Sequence, residues 1–214
     1  MNQGAKRHAH SERGADLYES PGVAPAALLL HEPLLAGVAH VWEPCAGRGA
    51  IKRVLEAAGK RVLAQDLIAY EGADAGIDTP VDFFKTQQRP SICNLIVTNP
   101  PFMFADDFIR HGLSLGCDVI VLLRLMALEG AKRSDLIDGH LLRVWAGIER
   151  LPMMRREGWT GPKIKGGNSG APFAWFVFSA AKRQTEAVEF RRMSWRVPVP
   201  TKEADLFGGT DLFT

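Results

Sequence analysis

Residues 38–66 read VAHVWEPCAGRGAIKRVLEAAGKRVLAQD, and this stretch decides the fold. Residues 38–42 predict a strand, and the Gly-Arg-Gly sequence at 47–49 predicts a turn behind it. Apolar residues then recur at helical spacing before Gly59 ends the pattern: Ile51, Val54, Leu55 and Ala58. Residues 61–65 predict a second strand, which ends at Asp66. A strand, a turn, a helix and a second strand in this order predict a βαβ unit with parallel strands.

The remaining sequence continues the alternation of strands and helices. Further strands are predicted at 94–98, 119–123, 148–154 and 172–179. Helices are predicted at 104–115 and at 132–145, the second with Leu136, Leu141 and Val144 as its apolar face. These elements predict an α/β, Rossmann-like fold with a mostly parallel central sheet and helices on both faces. We expect one domain over residues 16–197, with a flexible tail at 1–15 and a second tail at 198–214.

Length, net charge and cysteine spacing indicate which classes of protein the chain can belong to. With 214 residues, of which 46% are hydrophobic and 23% charged, the chain can form one soluble domain with a substantial core. The net charge of +2 is too small to indicate a nucleic-acid partner by itself. Cys45, Cys93 and Cys117 form no Cys-x-x-Cys pair and have no histidine at ligand spacing. Neither a disulfide framework nor a metal site is therefore predicted.

The sequence also bears on location and assembly. No apolar run reaches the roughly 20 residues that cross a bilayer, and no signal-peptide pattern is present. We therefore expect a cytoplasmic protein without a membrane partner. No obligate protein partner is indicated, and a monomer is favoured.

Residues that suit a nucleotide follow the first two predicted strands. In a parallel sheet, ligands bind beyond the carboxyl ends of the strands, where glycines let the main chain approach closely. The loop after the first strand consists of Glu43, Pro44, Cys45, Ala46, Gly47, Arg48 and Gly49. Asp66 follows Gly49 by 17 residues (66 − 49), close to the spacing of about 20 at which an acidic residue meets ribose hydroxyls. A plain strand-to-helix turn explains the glycines as often, and Asp66 has an alternative role as a cap before Leu67.

Asp82-Phe83-Phe84 is a third candidate for the site. The Asp82 carboxylate can accept a hydrogen bond from an adenine amino group while a phenylalanine packs on the ring. Phe83 fits the core equally well, and a short edge strand with a capped turn would show the same residues.

Asn99-Pro100-Pro101-Phe102 follows the predicted strand at 94–98 and is the stretch that packing explains least. Its two prolines remove two backbone donors and fix two φ angles, which makes the segment rigid. The side-chain carbonyl of Asn99 and the main-chain carbonyl of Pro100 can accept hydrogen bonds from one NH₂ group and turn its nitrogen lone pair toward an electrophile. Phe102 supplies a ring on which a planar group can stack. All four residues, Asn99, Pro100, Pro101 and Phe102, are therefore predicted to form a catalytic site at which an NH₂ nitrogen accepts a group from an electrophile.

These motifs resemble those of the class I S-adenosylmethionine-dependent methyltransferases, and within them the small phage-type N6-adenine DNA methyltransferases. The resemblance covers most of the chain. It implies that the loop at 43–49, Asp66 and Leu67 bind S-adenosylmethionine, and that Asp82 and Phe83 hold its adenine. It makes 99–102 the catalytic motif, with Asn99 also beside the cofactor.

Three looser matches extend the resemblance. Tyr18, Ser20 and Pro21 resemble the segment that closes over the methionine end of the cofactor, with serine in place of the family's threonine. Residues 174–177 and 123–133 resemble the aromatic strand near the target-base pocket and the segment after the fifth strand. The resemblance implies methyl transfer to the N6 amino group of a flipped adenine in DNA. Because the sulfonium is already a strong electrophile, catalysis would be mainly positioning.

Contacts with DNA are predicted in a glycine-rich basic loop at 155–171. Its cations are Arg155, Arg156, Lys163 and Lys165. A solvated surface loop explains the same composition. A second basic cluster with the same two interpretations consists of Arg191, Arg192 and Arg196.

The tetrapeptide at 99–102 does not identify the polymer. RNA adenine-N6 methyltransferases and protein-glutamine methyltransferases would present a similar NH₂ group to the two carbonyls. A non-catalytic nucleic-acid-binding module on the same fold is the alternative from another class, and the intact tetrapeptide argues against it.

Overall fold

The computed structural model describes residues 19–153, 171–184 and 187–201. Within these ranges the strands are β1 (His40–Glu43), β2 (Arg61–Gln65), β3 (Ile77–Asp78), β4 (Leu95–Thr98), β5 (Asp118–Arg124), β6 (Leu141–Gly147), β7 (Phe173–Phe178) and β8 (Glu189–Met193). The α-helices are α1 (Val23–His31), α2 (Pro33–Ala36), α3 (Ala50–Ala57), α4 (Ala105–Ser114) and α5 (Ser134–His140). Short 3-10 helices lie at Phe83–Lys85, Phe102–Phe104, Leu125–Leu128 and Ala131–Arg133.

The described strands form one sheet in the order β3-β2-β1-β4-β5-β7-β6-β8. β7 runs antiparallel to β5 and β6, while the other neighbouring pairs are parallel. The chain winds outward from β1 to β3 and then returns to place β4 on the other side of β1. Such a reversal leaves a crevice at the carboxyl ends of the two inner strands, which is where open α/β sheets bind ligands. The predicted α/β fold with a mostly parallel sheet is confirmed.

Alternate residues of the central strands face opposite sides of the sheet, so the described residues form an apolar core on each side. Val41 and Trp42 of β1 belong to different cores. α1 and α3 contribute Leu28 and Leu55 to the first core, and α4 contributes Ile109 to the second. Helices therefore cover both faces of the sheet, as the sequence predicts.

Most predicted elements are present near their predicted positions. β2 has the predicted bounds, and α3 lies where the apolar spacing places it. β1, β4, β5 and β7 begin and end within a residue or two of the prediction, and α4 falls inside the helix predicted at 104–115. The sequence signal is strong for these elements because each is a continuous apolar run or a regular helical stripe bounded by turn residues.

The helix predicted at 132–145 is wrong in its second half. α5 ends at His140, and the chain continues at once into β6, which pairs with β7 and β8. The pairing register of β6 and β7 shifts between Leu141 and Arg143. An irregularity of this kind breaks the strict alternation of a strand. The buried residues Leu141 and Val144 therefore stand three apart, as they would on a helix.

The strand predicted at 148–154 is also wrong. Its described residues, 148–153, form no strand and follow β6 directly. Leu151 and Met153 are nevertheless buried and belong to the first core. The apolar signal in this stretch reflects burial of a loop against the core.

Two strands and the described end of the chain differ from the sequence expectation. β3 has two residues, and β8 exposes four of its five residues, so neither carries an apolar signal. Val197 and Val199 pack against the first core. The start of the tail predicted at 198–214 is therefore packed on the domain.

The described residues contain neither a membrane-spanning helix nor a metal-binding cluster. No helix in these ranges combines the length and the apolar character needed to cross a bilayer. Among the same residues, no group of three or more His, Cys, Asp or Glu side chains is placed to hold a metal ion. Cys45, Cys93 and Cys117 are free thiols.

Candidate active site

A cavity of about 580 Å³ lies at the switch point of the sheet, beside the carboxyl ends of β1, β2 and β4. The predicted site residues that line it are Ser20, Glu43, Pro44, Cys45, Ala46, Gly47, Asp66, Leu67, Asp82, Phe83, Asn99 and Pro101. Pro21, Gly49, Pro100 and Phe102 lie outside its wall. Tyr18, Arg155, Arg156, Lys163 and Lys165 lie outside the described residues. The fold thus gathers residues from five separate segments of the sequence around one cavity.

The glycine loop after β1 requires both of its glycines. Gly47 and Gly49 have φ angles of 56° and 88°, a left-handed conformation that side chains with a Cβ rarely adopt. A Cβ on Gly49 would also lie 2.9 Å from an Asp74 carboxylate oxygen. Arg53 holds Asp74 in place with a 2.7 Å ion pair. The loop is therefore closed from outside by the segment that follows β2.

Asp66 joins the glycine loop to the end of β2. Its Oδ2 accepts a hydrogen bond from the Gly47 main-chain N–H at 2.7 Å, and its Oδ1 accepts one from the Ile68 N–H at 2.9 Å. Burial raises the pKa of Asp66, and the N–H donors act against that increase. Asp66 therefore caps the turn before Leu67, as the alternative interpretation states, and lines the cavity as well.

Glu43, the last residue of β1, is a buried carboxyl group in the cavity wall. Its Oε2 has no hydrogen-bond partner among the described residues. Burial raises the pKa of Glu43 well above its usual value, and the neighbouring Asp66 charge adds to the increase, while the Lys52 N–H and the charges of Lys52 and Arg53 oppose it. A buried acid with an unsatisfied oxygen is a favourable place for a cationic group of a ligand.

Phenylalanines form an aromatic wall on the side of Asp82. Phe83 is buried and stacks on Phe108 with ring centroids 5.0 Å apart. Its interpretation as a core residue therefore holds, although it also lines the cavity. Phe84 is 42% exposed and meets Phe108 edge to face at 4.9 Å. Phe84 is the ring of the pair that is open to a ligand, and the sequence did not distinguish the two.

Asp82 caps the short helix that carries Phe83 and Phe84. Its Oδ1 accepts a hydrogen bond from the Phe84 N–H at 3.1 Å, which caps the 3-10 helix Phe83–Lys85. Lys85 approaches the other carboxylate oxygen at 3.4 Å. The capped turn that the sequence left as an alternative is present, and the Asp82 side chain remains at the cavity wall.

Asn99 stands at the end of β4 and contacts the segment before α1. Its Nδ2 donates to the Ser20 Oγ at 3.0 Å, a contact across 79 positions of sequence. Ser20 is buried, so this hydroxyl fixes the amide of Asn99. At the other end of the motif, the Phe104 N–H donates to the Pro101 carbonyl at 2.9 Å and starts the turn into α4.

Phe102 lies beside the cavity rather than in its wall. Its ring packs on Phe173, the first residue of β7, at a centroid distance of 5.9 Å. The Arg124 guanidinium, at the end of β5, lies over the ring at 5.1 Å from the centroid. The ring predicted to stack on the target base is therefore covered by a cation.

Several lining residues were not found from the sequence. Tyr70, Met103 and Phe104 line the cavity, and the last two are 63% and 49% exposed. The signal available in the sequence was that Met103 and Phe104 directly follow the Asn-Pro-Pro-Phe motif. Cys45 also lines the cavity, and burial raises the pKa of its thiol, which makes it a poor nucleophile.

No family model and no curated protein matches the sequence. Solved structures do share its fold. A candidate RNA methyltransferase from Pyrococcus horikoshii aligns with a TM-score of 0.56 and 14% identity, over 82% of this chain and 91% of its own. The methyltransferase subunit of a type I restriction-modification system from Streptococcus thermophilus gives 0.54 and 13% identity, over 83% of this chain and 47% of its own. A Thermoplasma acidophilum protein gives 0.51 and 15% identity, over 76% and 86%.

These likenesses concern the fold. At such identities they show that the chain has the Rossmann-like fold of class I methyltransferases, as the sequence predicts. The chain spans about half the length of the restriction-modification subunit.

Proposed function

We propose that the protein is an S-adenosylmethionine-dependent methyltransferase that acts on the N6 amino group of adenine in DNA, like the small phage-type enzymes that its motifs resemble. The observation that carries the proposal is the position of Asn99. This residue follows β4 at the switch point and lines the same cavity as Glu43 and Asp66. A nucleotide-binding wall and a rigid acceptor for an NH₂ group thus share one cavity.

The cavity suits S-adenosylmethionine in size and in charge. Its volume of about 580 Å³ falls within the range of roughly 300–1,000 Å³ that is typical of small-molecule sites. Glu43 Oε2 has no hydrogen-bond partner among the described residues. When the cationic end of the cofactor lies beside it, the ionised Glu43 carboxylate can form an ion pair with that group. The Asp66 carboxylate lines the cavity and accepts hydrogen bonds from main-chain N–H groups, and a carboxylate in this position can also accept from ribose hydroxyls.

The aromatic side of the cavity suits the adenine of the cofactor. Phe84 offers an exposed ring, and Asp82 lies at the same wall. An adenine ring can pack on the phenylalanine while its amino group donates to the carboxylate. We therefore assign Asp82 to the adenine amino group and add Phe84 to the predicted partner Phe83.

When bound, S-adenosylmethionine supplies an electrophilic methyl group, and the protein positions the acceptor nitrogen. In the proposed reaction, the amide nitrogen of Asn99 stays hydrogen-bonded to Ser20 and its amide oxygen accepts a hydrogen bond from the substrate NH₂ group. Pro100 and Pro101 fix the backbone between β4 and α4, so the acceptor geometry is set before substrate arrives. Preorganised alignment of this kind is the main source of rate enhancement when the electrophile needs no activation.

DNA is the polymer we favour. The basic loop at 155–171 matches a phosphate-binding segment in composition. The fold also occurs in a restriction-modification methyltransferase subunit. An adenine in RNA and a glutamine side chain are the competing acceptors.

Incubation with tritiated S-adenosylmethionine and, in parallel reactions, duplex DNA, total RNA and a protein extract tests the proposal. We expect label in DNA. Label confined to RNA or to protein would refute DNA as the substrate. Cofactor binding without label in any polymer would identify a non-catalytic binding module instead.

A further inference from the structure

The pair formed by Phe102 and Arg124 lies outside the cofactor cavity and is not used in the proposed chemistry of the cofactor. The Arg124 guanidinium carbon is 5.1 Å from the centroid of the Phe102 ring. Phe173 supports the same ring at 5.9 Å. Arg124 and Phe173 are register partners of neighbouring strands, so the ring and its cation belong to one corner of the sheet.

This corner lies on the acceptor side of the site. Phe102 is the fourth residue of the Asn-Pro-Pro-Phe motif, three positions from Asn99. Arg124 ends β5, whose carboxyl end lies on the same edge of the sheet as that of β4 because the two strands are parallel. A planar group that presents its NH₂ to Asn99 therefore has Phe102 as the neighbouring aromatic surface.

An exposed cation over an aromatic ring is an exchangeable contact. Arg124 is exposed, whereas Phe102 is half-buried and packs against both apolar cores. A cation–π contact at an exposed site is weak, and a nucleobase stacks on the same kind of surface more strongly. The Phe102 ring is therefore held in place, whereas the Arg124 guanidinium can be displaced from it by a base.

We propose that Arg124 occupies the target-base position on Phe102 in the free protein and moves to a phosphate of the target nucleotide when the base takes its place; this rests on the proposed function. A guanidinium is planar like a base and binds phosphate oxygens in a bidentate manner. The base that displaces it brings an anion on its own backbone. The substrate therefore supplies both a replacement for the ring contact and a new partner for the cation.

Exchange at Phe102 and Arg124 requires a substrate with a planar face and an anionic group close together. A nucleotide carries a planar face and a phosphate within one residue. A glutamine side chain has neither an aromatic face nor an anionic group. Exchange at Phe102 and Arg124 therefore favours a nucleic acid over a protein as the substrate.

The first test observes the exchange directly in the full-length protein. The Arg124 Nε–H signal, assigned by its loss in Arg124→Gln, should be shifted upfield in the free protein by the Phe102 ring current. Addition of an adenine-containing DNA duplex with S-adenosylhomocysteine should abolish that shift. A shift that persists at saturating DNA would overturn the proposal, and so would its absence in the free protein. This test needs no turnover, so it is independent of whether methyl transfer is detected.

The second test separates charge from stacking in the DNA methylation assay. Arg124→Gln should raise KM for DNA about tenfold while kcat stays within about twofold. It should also lower the salt slope of DNA affinity by about 1, as expected for the loss of one phosphate contact. Arg124→Lys retains the charge and should restore the salt slope. The matched control is Arg61→Gln, because Arg61 is exposed at the start of β2, on the opposite edge of the sheet.

Two outcomes of the second test would overturn the proposal. One is equal KM and salt slope for Arg124→Gln and Arg61→Gln. The other is a loss of kcat alone in Arg124→Gln, which would indicate a structural role for the cation. Failure of the proposed function is read separately, from the absence of methyl transfer by the unsubstituted protein.

Discussion

Glu43 is a residue whose protonation is expected to depend on the ligand. Burial raises its pKa in the free protein, and a cationic ligand beside it favours the ionised form. We expect S-adenosylmethionine to bind more tightly as pH rises through the pKa of Glu43. Glu43→Gln should weaken binding and reduce this pH dependence, leaving the smaller contribution of Asp66, whose pKa is also raised. Calorimetric titrations over a pH series measure both effects, and equal pH dependence in the two proteins would contradict the assignment.

The same substitution should stabilise the free protein. A carboxyl group with a raised folded pKa contributes stability that is complete below its unfolded pKa near 4.5 and is lost as pH rises through the folded value. An amide at this position cannot ionise and avoids the loss. Without cofactor, Glu43→Gln should therefore melt at a higher temperature than the unsubstituted protein at about pH 8, with the gain shrinking toward acid pH. Scanning calorimetry checks the sign, and a variant that is less stable at about pH 8 would show that Glu43 is satisfied in the free protein.

Asn99 carries the acceptor role in the proposed reaction. Asn99→Ala should reduce kcat by about a hundredfold or more, since it removes one of the two carbonyls that orient the NH₂ group. Cofactor affinity should change little, because Glu43 and Asp66 remain. Asn94→Ala is the matched control, with an exposed asparagine just before β4 at the opposite edge of the sheet. Comparable turnover in the two variants would place the chemistry elsewhere.

Helices α4 and α5 each contain one glycine in a different environment. A Cβ on Gly112 would lie 2.8 Å from Val119 and 2.9 Å from Ile96, whereas a Cβ on Gly139 would meet nothing within 4 Å. Alanine is favoured over glycine in a helix by up to about 1 kcal/mol, and overpacking costs about 1–3 kcal/mol. Gly139→Ala should therefore raise the free energy of unfolding by about 0.5 kcal/mol. Gly112→Ala should lower it by about 1 kcal/mol. Urea denaturation measures both, and equal effects would contradict the close packing of α4 on the sheet.

The elements show which parts of the fold a sequence can predict. β4 and β5 are continuous apolar runs, and both were found because burial on both faces leaves a clear signal. β6 was taken for the end of a helix because its register shift spaces Leu141 and Val144 like helical residues. β8 is exposed along most of its length and is held in the sheet by pairing with β6. It was not predicted, because pairing with a distant strand leaves no pattern in the local sequence.

In the candidate site, too, some features could be predicted from the sequence and others could not. Gly47, Gly49 and Asp66 were predicted because close main-chain approach and a strand-end carboxylate have fixed spacings in sequence. The cation over Phe102 was not predicted, because it depends on how β5 and β7 align. Phe83 and Phe84 were not separated, because their exposure is decided by Phe108 from α4.

At the scale of the whole molecule, the proposed function gives the two halves of the sheet different roles. The parallel strands β1, β2 and β4 bring the glycine loop, Asp66 and Asn99 to one cavity. β7 runs against them, so its first residue, Phe173, reaches the same edge and supports Phe102. We assign the parallel half to the cofactor and the corner of β4, β5 and β7 to the acceptor base.

The most direct test of the central claim identifies the methylated atom. Duplex DNA is incubated with the protein and S-adenosylmethionine that carries a deuterated methyl group, then digested to nucleosides and analysed by mass spectrometry. We predict deuterated N6-methyldeoxyadenosine in the reaction with the unsubstituted protein and its loss with Asn99→Ala. Deuterated methyl groups on cytosine alone, or none in DNA while RNA or protein is labelled, would contradict the account.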